Sequence, residues 1–222
     1  MLHTVALVPM RHESERVPGK NYRALGDRPL FHHVIAMLLS CPGINKVVID
    51  TDSPVIREDA RHTFPSVTVL ERPQHLRDGA IPMNDVLLHD VRVVPGDLYL
   101  QTHSTNPFLR AETVVAALDA FAASQQNDSL FGVTRLETRL WRGDATPINH
   151  DPARLVRTQD LEPVYEENSC IYLFTREVLQ KHGSRIGERP LLFEIPPDEA
   201  LDIDTEQDFR IAEALHRVGR PS

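Results

Sequence analysis

An α/β fold built on a mostly parallel sheet is predicted by three features of this 222-residue chain. Apolar runs of strand length alternate with longer segments of helical period, the pattern left by parallel strands joined through crossover helices. The first run, Thr4-Val5-Ala6-Leu7-Val8, leads at once into a loop carrying Arg11, Arg16 and Lys20. In a doubly wound sheet the ligand crevice lies outside the carboxyl ends of the strands, so cations on that loop face an anion.

The elements follow in chain order. Strands are predicted at 3–9, 46–50 (Lys46-Val47-Val48-Ile49-Asp50), 67–70, 97–101, 129–133 and 170–174, each a short apolar run bounded by turn or polar residues. The spacing predicts a helix over 29–40, with Pro29 near its first turn, Leu30, Val34, Met37 and Leu38 on one face, and Pro42-Gly43 ending it. A second spans 110–123 with Val114, Ala117, Leu118 and Phe121, and Asn127-Asp128 turns the chain back toward a strand. The last, about 205–217, has Phe209, Ala212 and Leu215 as its buried stripe. Between about 136 and 167 this rhythm breaks into Arg, Thr, Asp and Pro with short extended pieces, as in an inserted β-arm that makes a subunit contact. With no repeat or low-complexity linker, residues 1–222 read as a single domain containing that arm.

Composition narrows the function. The length suffices to bury a large core without disulfides or structural metal. A formal charge of −8 argues against a nucleic-acid partner or an anionic membrane surface, which need a basic face. Cys41 and Cys170 lie beside apolar runs without metal-site spacing and read as buried, reduced thiols. Residues 4–8 are too short for the apolar core of a signal peptide and lack a charged segment before them, so the expected compartment is the cytoplasm.

Four constellations carry chemistry. Although the first loop contains Gly19-Lys20, it is no Walker A loop, because Ser14 stands where the first glycine belongs and Asn21 replaces Ser or Thr. The anion site therefore works through the side chains of Arg11, Arg16 and Lys20, with Pro18-Gly19 shaping the turn. Asp202 and Asp204, one residue apart in extended backbone, point the same way and offer two hard oxygen donors of the kind Mg2+ needs beside a nucleotide's phosphates. The same stretch also reads as an ordinary helix N-cap, Asp204 or Thr205, with Asp208 closing a capping box from Thr205. Asp50-Thr51-Asp52-Ser53 reads as a strand end and helix cap. Gln101 to Arg110 leaves the fourth predicted strand as a run of hydrogen-bonding side chains suited to a polyhydroxylated ligand.

Taken together, the loop Arg11 to Asn21, Asp50-Thr51-Asp52-Ser53, Arg72-Pro73, Leu100-Gln101 with Pro107-Phe108-Leu109-Arg110, Glu167-Asn168-Ser169-Cys170-Ile171-Tyr172 and Asp202-Ile203-Asp204-Thr205 resemble the cytidylyltransferases that activate acidic sugars. The resemblance is to the acylneuraminate (CMP-sialic acid synthetase) group and covers nearly the whole chain. It implies a Rossmann-like three-layer α/β/α nucleotide-diphospho-sugar transferase fold. It also implies attack by a sugar acid's anomeric hydroxyl on the α-phosphorus of CTP, releasing pyrophosphate. By the same resemblance Arg11 and Lys20 hold the triphosphate with Arg16, Asn21 and Arg72 lie near the cytosine, Gln101 and Tyr172 touch the sugar, and Asp204, helped by Asp202, ligates Mg2+. Arg11, Lys20 and Asp204 are then the catalytic set. Similar enzymes are homodimers whose arm borders the partner's sugar pocket, which makes Trp141 and Arg142 candidate contacts.

Relatives that activate 3-deoxy-manno-octulosonic acid share the style of Arg16-Val17-Pro18-Gly19-Lys20, but carry an acidic Gly-Asp-Glu-Pro where this chain has Thr102-His103-Ser104-Thr105-Asn106-Pro107. That difference and the paired aspartates favour a nine-carbon, sialic-like acid. Two residues depart from the sialic acid group: Glu15 stands where lysine is usual, and Ser169 where glycine commonly follows the asparagine. A carboxylate about 5 Å from one phosphate charge costs roughly 3 kcal/mol at an effective dielectric near 20, so Glu15 is expected to face away while Arg16 substitutes. Another nucleotidyltransferase, a glycosyltransferase using Asp-x-Asp, and a non-catalytic nucleotide- or sugar-binding homologue remain alternative readings.

Overall fold

The computed structural model describes residues 2–219. Among them, seven strands form one sheet in the order β5-β4-β1-β6-β8-β7-β9. These strands are β1 (Thr4–Met10), β4 (Lys46–Thr51), β5 (Thr68–Glu71), β6 (Leu98–Gln101), β7 (Ser129–Leu136), β8 (Val164–Phe174) and β9 (Pro190–Glu194). Only β8 runs antiparallel to its neighbours, β6 and β7. All seven residues of β1 are buried, as a central parallel strand covered on both faces requires.

Alternation along β1 sorts its side chains into two layers. Ala6, Val8 and Met10 join the core under α1 (Leu30–Ser40), α2 (Pro54–Thr63) and α4 (Ala111–Ala123). Val5 and Leu7 join Leu87 and Val91 of α3 (Met83–Val93) and Leu179 of α5 (Arg176–His182) on the other face. The expected three-layer α/β/α arrangement is therefore present. Both cysteines are buried and free, and burial pushes the Cys41 thiol up to about 11. No helix among the described residues is long and apolar enough to cross a membrane.

Because β1, β4 and β6 are parallel, Met10, Thr51 and Gln101 end at the same edge of the sheet. The chain passes from β1 to β4 on one side and returns to β6 on the other, so the switch point lies at the end of β1. A small hairpin, β2 (Ala24–Leu25) with β3 (Arg28–Pro29), follows the first loop. It packs with α6 (Glu206–Val218) in a third apolar cluster of Val17, Leu25, Leu30, Phe108, Ile203, Phe209 and Ala212.

Several elements differ from the sequence reading. Helix α6 buries Phe209 and Ala212, but Leu215 is 45% exposed, because it lies past the edge of that cluster beside Pro107 and Phe108. Strand β9 was not anticipated; it begins with a proline, which an edge strand tolerates. The arm lies between β7 and β8: Leu136 pairs with Val164, so the last residues of the 136–167 span belong to β8. Its interior holds two isolated bridges, Trp141 with Pro147 and Asp151 with Arg154, and one 3-10 turn at Thr158–Asp160.

Under the β4–β5 end of the sheet lies a buried charge cluster. Arg72 donates through Nε to Asp50 Oδ1, and both side chains are 1% exposed. Asp90 of α3 is fully buried, and neither of its oxygens nor Asp50 Oδ2 has a donor. A proton on Asp90 supplies that donor. Desolvation and the adjoining Asp50 carboxylate push Asp90 up to about 9, leaving Asp50 as the anion that faces Arg72.

In the unfolded chain an aspartate releases its proton near pH 4, so the stability contributed by protonated Asp90 is complete in acid and declines as pH rises toward its folded value. Asn at this position carries a permanent donor. Asp90→Asn is expected to raise the thermal midpoint more at about pH 8 than at about pH 5. An equal shift at both values would remove the proton from Asp90.

Candidate active site

The first loop is shaped by its own backbone before any ligand is considered. Gly19 has φ +65°, and this left-handed turn delivers Lys20 into a 3-10 turn over Lys20–Tyr22. Val17 is fully buried between Ile203 and Phe209 in the third cluster, which presses the loop onto the chain leading into α6. Arg23 completes the docking: it bonds both carboxylate oxygens of Glu206 at 2.8 Å and lies 3.9 Å over the Phe209 ring. Asp52 anchors the loop's other end by accepting from His12 N at 2.8 Å, while Ser53 caps α2.

This docking brings Arg16, Lys20 and Asp204 together. Lys20 Nζ lies 3.4 Å from Asp204 Oδ1 and also donates to Ile203 O; Arg16 Nη2 donates to the same Asp204 oxygen at 2.8 Å. Asn21 is buried, donating to Arg11 O and accepting from Ser104 Oγ, each at 2.8 Å, so it braces the first loop against the loop after β6. The Arg11 guanidinium and the exposed Glu15 carboxylate both lie beside Gly79, where a Cβ would stand 3.3 and 3.9 Å from them. Arg72 sits apart from this group in its buried pair with Asp50.

Thr205 and Asp208 form the anticipated capping box at the start of α6. Because Asp208 supplies the cap, the Asp204 side chain remains free to face the first loop. Asp202 is turned inward: its Oδ1 is buried without a partner, and desolvation, followed by the charge of Asp204, raises its pKa.

Beyond β6 the wall is polar and buried. Gln101 and Tyr172 are cross-strand partners in β6 and β8, and both are 0% exposed. The Gln101 amide is oriented at both ends, its Nε2 toward His103 Nε2 at 3.0 Å and its Oε1 accepting from Arg185 Nη1 at 2.6 Å. Burial, with Arg185 and Lys20 adding repulsion, pushes His103 down to about 3, so its imidazole stays neutral and accepts from the amide. Tyr172 Oη donates to Glu167, and its ring lies 3.5 Å beneath the Arg185 guanidinium. Sequence reasoning missed Arg185 and named His103 only as a member of a polar run, the one after β6. Arg185 lies in a turn that no motif marks.

The cytidylyltransferase family profile matches residues 5–217. This chain belongs to that family. The cytidylyltransferase is 27% identical to the CMP-N,N'-diacetyllegionaminic acid synthase of Legionella pneumophila, over 99% of this chain and 98% of that protein. It is 23% identical to the pseudaminic acid cytidylyltransferase of Campylobacter jejuni, over 100% and 99%. Against N-acylneuraminate cytidylyltransferase A of Danio rerio it is 26% identical over 95% of this chain and half of that longer protein. Its fold resembles the CTP complex of CMP:2-keto-3-deoxy-manno-octonic acid synthetase with a TM-score of 0.72, at 17% identity, over 97% and 99% of the two chains.

The cytidylyltransferase carries a local distortion beside this polar wall. Between Phe131↔Tyr172 and Val133↔Glu167 the register breaks, and Gly132 alone faces residues 168–171. A Cβ on Gly132 would stand 2.6 Å from Ile195 Cδ1 and 2.7 Å from Asn168 Oδ1, so any other residue would have to displace both side-chain ends. Ser169 within this bulge has φ +59°, a left-handed conformation costing a non-glycine residue roughly 1–2 kcal/mol. Ser169→Gly is expected to stabilise the fold by about 0.5–1 kcal/mol, read as a thermal midpoint a few degrees higher. A lower midpoint would mean that the 3.4 Å contact between Tyr172 Oη and Ser169 Oγ outweighs the strain.

Proposed function

We propose that this cytidylyltransferase transfers CMP from CTP to a nonulosonic, sialic-acid-like 2-keto-3-deoxy sugar acid, giving a CMP-sugar and pyrophosphate for surface-glycan synthesis. The observation that carries the reading is the convergence of Lys20, Arg16 and Asp204 at the switch point, beside the polar wall of Gln101, His103 and Tyr172. Two relatives matched along nearly their whole length are named for legionaminic and pseudaminic acids, which supports an acidic sugar of this class.

In the reaction the anomeric hydroxyl attacks the α-phosphorus, the new O–P bond forms as the bridging bond to the β-phosphate breaks, and the hydroxyl proton passes to solvent. Lys20, Arg16 and Arg11 hold the triphosphate and offset charge on its oxygens. Lys20 is the best placed of the three, because its ammonium is already held against Ile203 O and Asp204. Asn21 and Arg72 shape the base pocket from within, through Arg11 O and Asp50 respectively.

Asp202 and Asp204 fit Mg2+: both are hard oxygen donors, and Asp202 Oδ1 is buried with no partner. Among the described residues no group of three or more metal-ligating side chains converges, so phosphate and water oxygens would complete the shell. When bound, the ion supplies further neutralisation of the phosphate oxygens. We place the reaction in the cytoplasm. We further propose a homodimer in which the arm, with Trp141 and Arg142 and its exposed Ile148 and Leu155, meets the partner subunit.

Pyrophosphate release is expected to require Mg2+, CTP and a 2-keto-3-deoxy sugar acid, and Asp204→Ala should lower it by on the order of 100-fold. Folded protein that releases no pyrophosphate with any nucleotide and sugar-acid pair of a broad panel would refute the assignment.

A further inference from the structure

Arg185 lies in the connection between α5 and β9, and it covers the two residues assigned above to the sugar. Its guanidinium stacks 3.5 Å over the Tyr172 ring, and Nη1 donates to Gln101 Oε1 at 2.6 Å. Its backbone N–H is itself held, donating to Asn84 Oδ1 at 3.3 Å, so the turn that carries it is tied to α3. Gln101 and Tyr172 are fully buried, whereas Arg185 retains exposed surface. A ligand approaching this wall therefore meets the guanidinium first.

The electrostatics of Arg185 are incomplete. Among the described residues, no Asp or Glu oxygen lies within ion-pair distance of it, and its hydrogen-bond acceptor, Gln101, is neutral. Glu167, the nearest carboxylate to influence it, is engaged by the Tyr172 hydroxyl. Desolvation consequently lowers the pKa of Arg185 from the ordinary arginine value. No nitrogen of Arg185 is both buried and unpartnered, so the N–H donors that Gln101 does not take up open onto accessible space, and the group has no acceptor capacity of its own. Such donors, on a cation partly withdrawn from water, are placed to bond the oxygen atoms of a ligand.

We infer that Arg185 is a specificity-determining contact of the acceptor pocket, donating hydrogen bonds to oxygen atoms of the sugar acid and selecting against acceptors that present an alkyl face there. The inference rests on the cytidylyltransferase reading above. Tyr172 serves as the platform for the guanidinium, and Gln101 sets its angle. His103 transmits the arrangement toward the phosphate side, since it touches Gln101 and feels both Lys20 and Asp204.

The oxygen atoms involved belong either to the acceptor's carboxylate or to its hydroxyls, and two substitutions separate these sources. Arg185→Lys retains the charge, and Arg185→Gln retains a donor without it. With the wild-type protein and both variants, steady-state pyrophosphate release is measured against the sugar acid and CTP separately, and sugar-acid binding is measured by calorimetry. For at least one variant, KM and Kd for the sugar acid should rise about tenfold or more, with KM for CTP changed less than about twofold. A smaller loss in Lys than in Gln assigns the carboxylate, and a loss no greater in Gln than in Lys assigns hydroxyls. Both variants matching an active wild type, or raising both KM values together, would overturn the role of Arg185 alone. A wild type that neither binds nor turns over any sugar acid of the panel would overturn this role and the proposed reaction together.

Discussion

The seating of the first loop on the chain entering α6 is the interaction on which the site depends. Arg16 and Lys20 reach Asp204 across 188 and 184 residues of sequence. The exposed Arg16–Asp204 pair contributes at most about 1 kcal/mol, too little to hold a loop in register, and Lys20, though largely buried, meets the same oxygen only at 3.4 Å. Val17, fully buried with Ile203 and Phe209, supplies the larger effect, since burying an aliphatic side chain of this size is worth roughly 1.5–3 kcal/mol. The apolar wedge sets the position, and the charges then meet across it. Arg23 reinforces the same junction by joining Glu206 and stacking on Phe209.

The polar wall beyond β6 is held differently, by hydrogen bonds in a buried setting. Gln101, His103, Arg185, Tyr172 and Glu167 form one connected chain from the loop after β6 to Glu167 in β8. Partly satisfied buried networks are costly, and fully satisfied ones fix geometry. The β8 bulge is what places Glu167 and Ser169 beside Tyr172 rather than further along a regular ladder. Ser169, in this bulge, is one of two non-glycine residues among the described ones with a left-handed backbone, Ala145 of the arm being the other.

A third region, Asp50 with Arg72 and Asp90, lies in the core. A buried ion pair is weak support for stability by itself, because desolvation opposes the Coulomb gain. Its effect here is positional: Arg72 also donates its backbone N–H to Thr51 O, so the strand ends of β4 and β5 are locked beneath the loop that Asp52 anchors.

From sequence alone, the α/β class, six of the seven sheet strands, the helices over 30–40, 111–123 and 206–218, and the cation-rich loop were all legible. Each depends on local signals: apolar period, capping residues and turn chemistry act over a few residues. Helix α3 escaped specific assignment because Asp90 interrupts its buried stripe of Val86, Leu87 and Val91, and β9 because a short run opened by proline resembles a connection. The Thr205–Asp208 cap could be read directly, since both partners lie within one turn. Which way Asp202 and Asp204 face, the covering of Gln101 and Tyr172 by Arg185, and the neutral state of His103 were decided only by tertiary structure. Those features arise from burial and from charges brought together across more than eighty residues, and neither effect leaves a periodic trace in the chain.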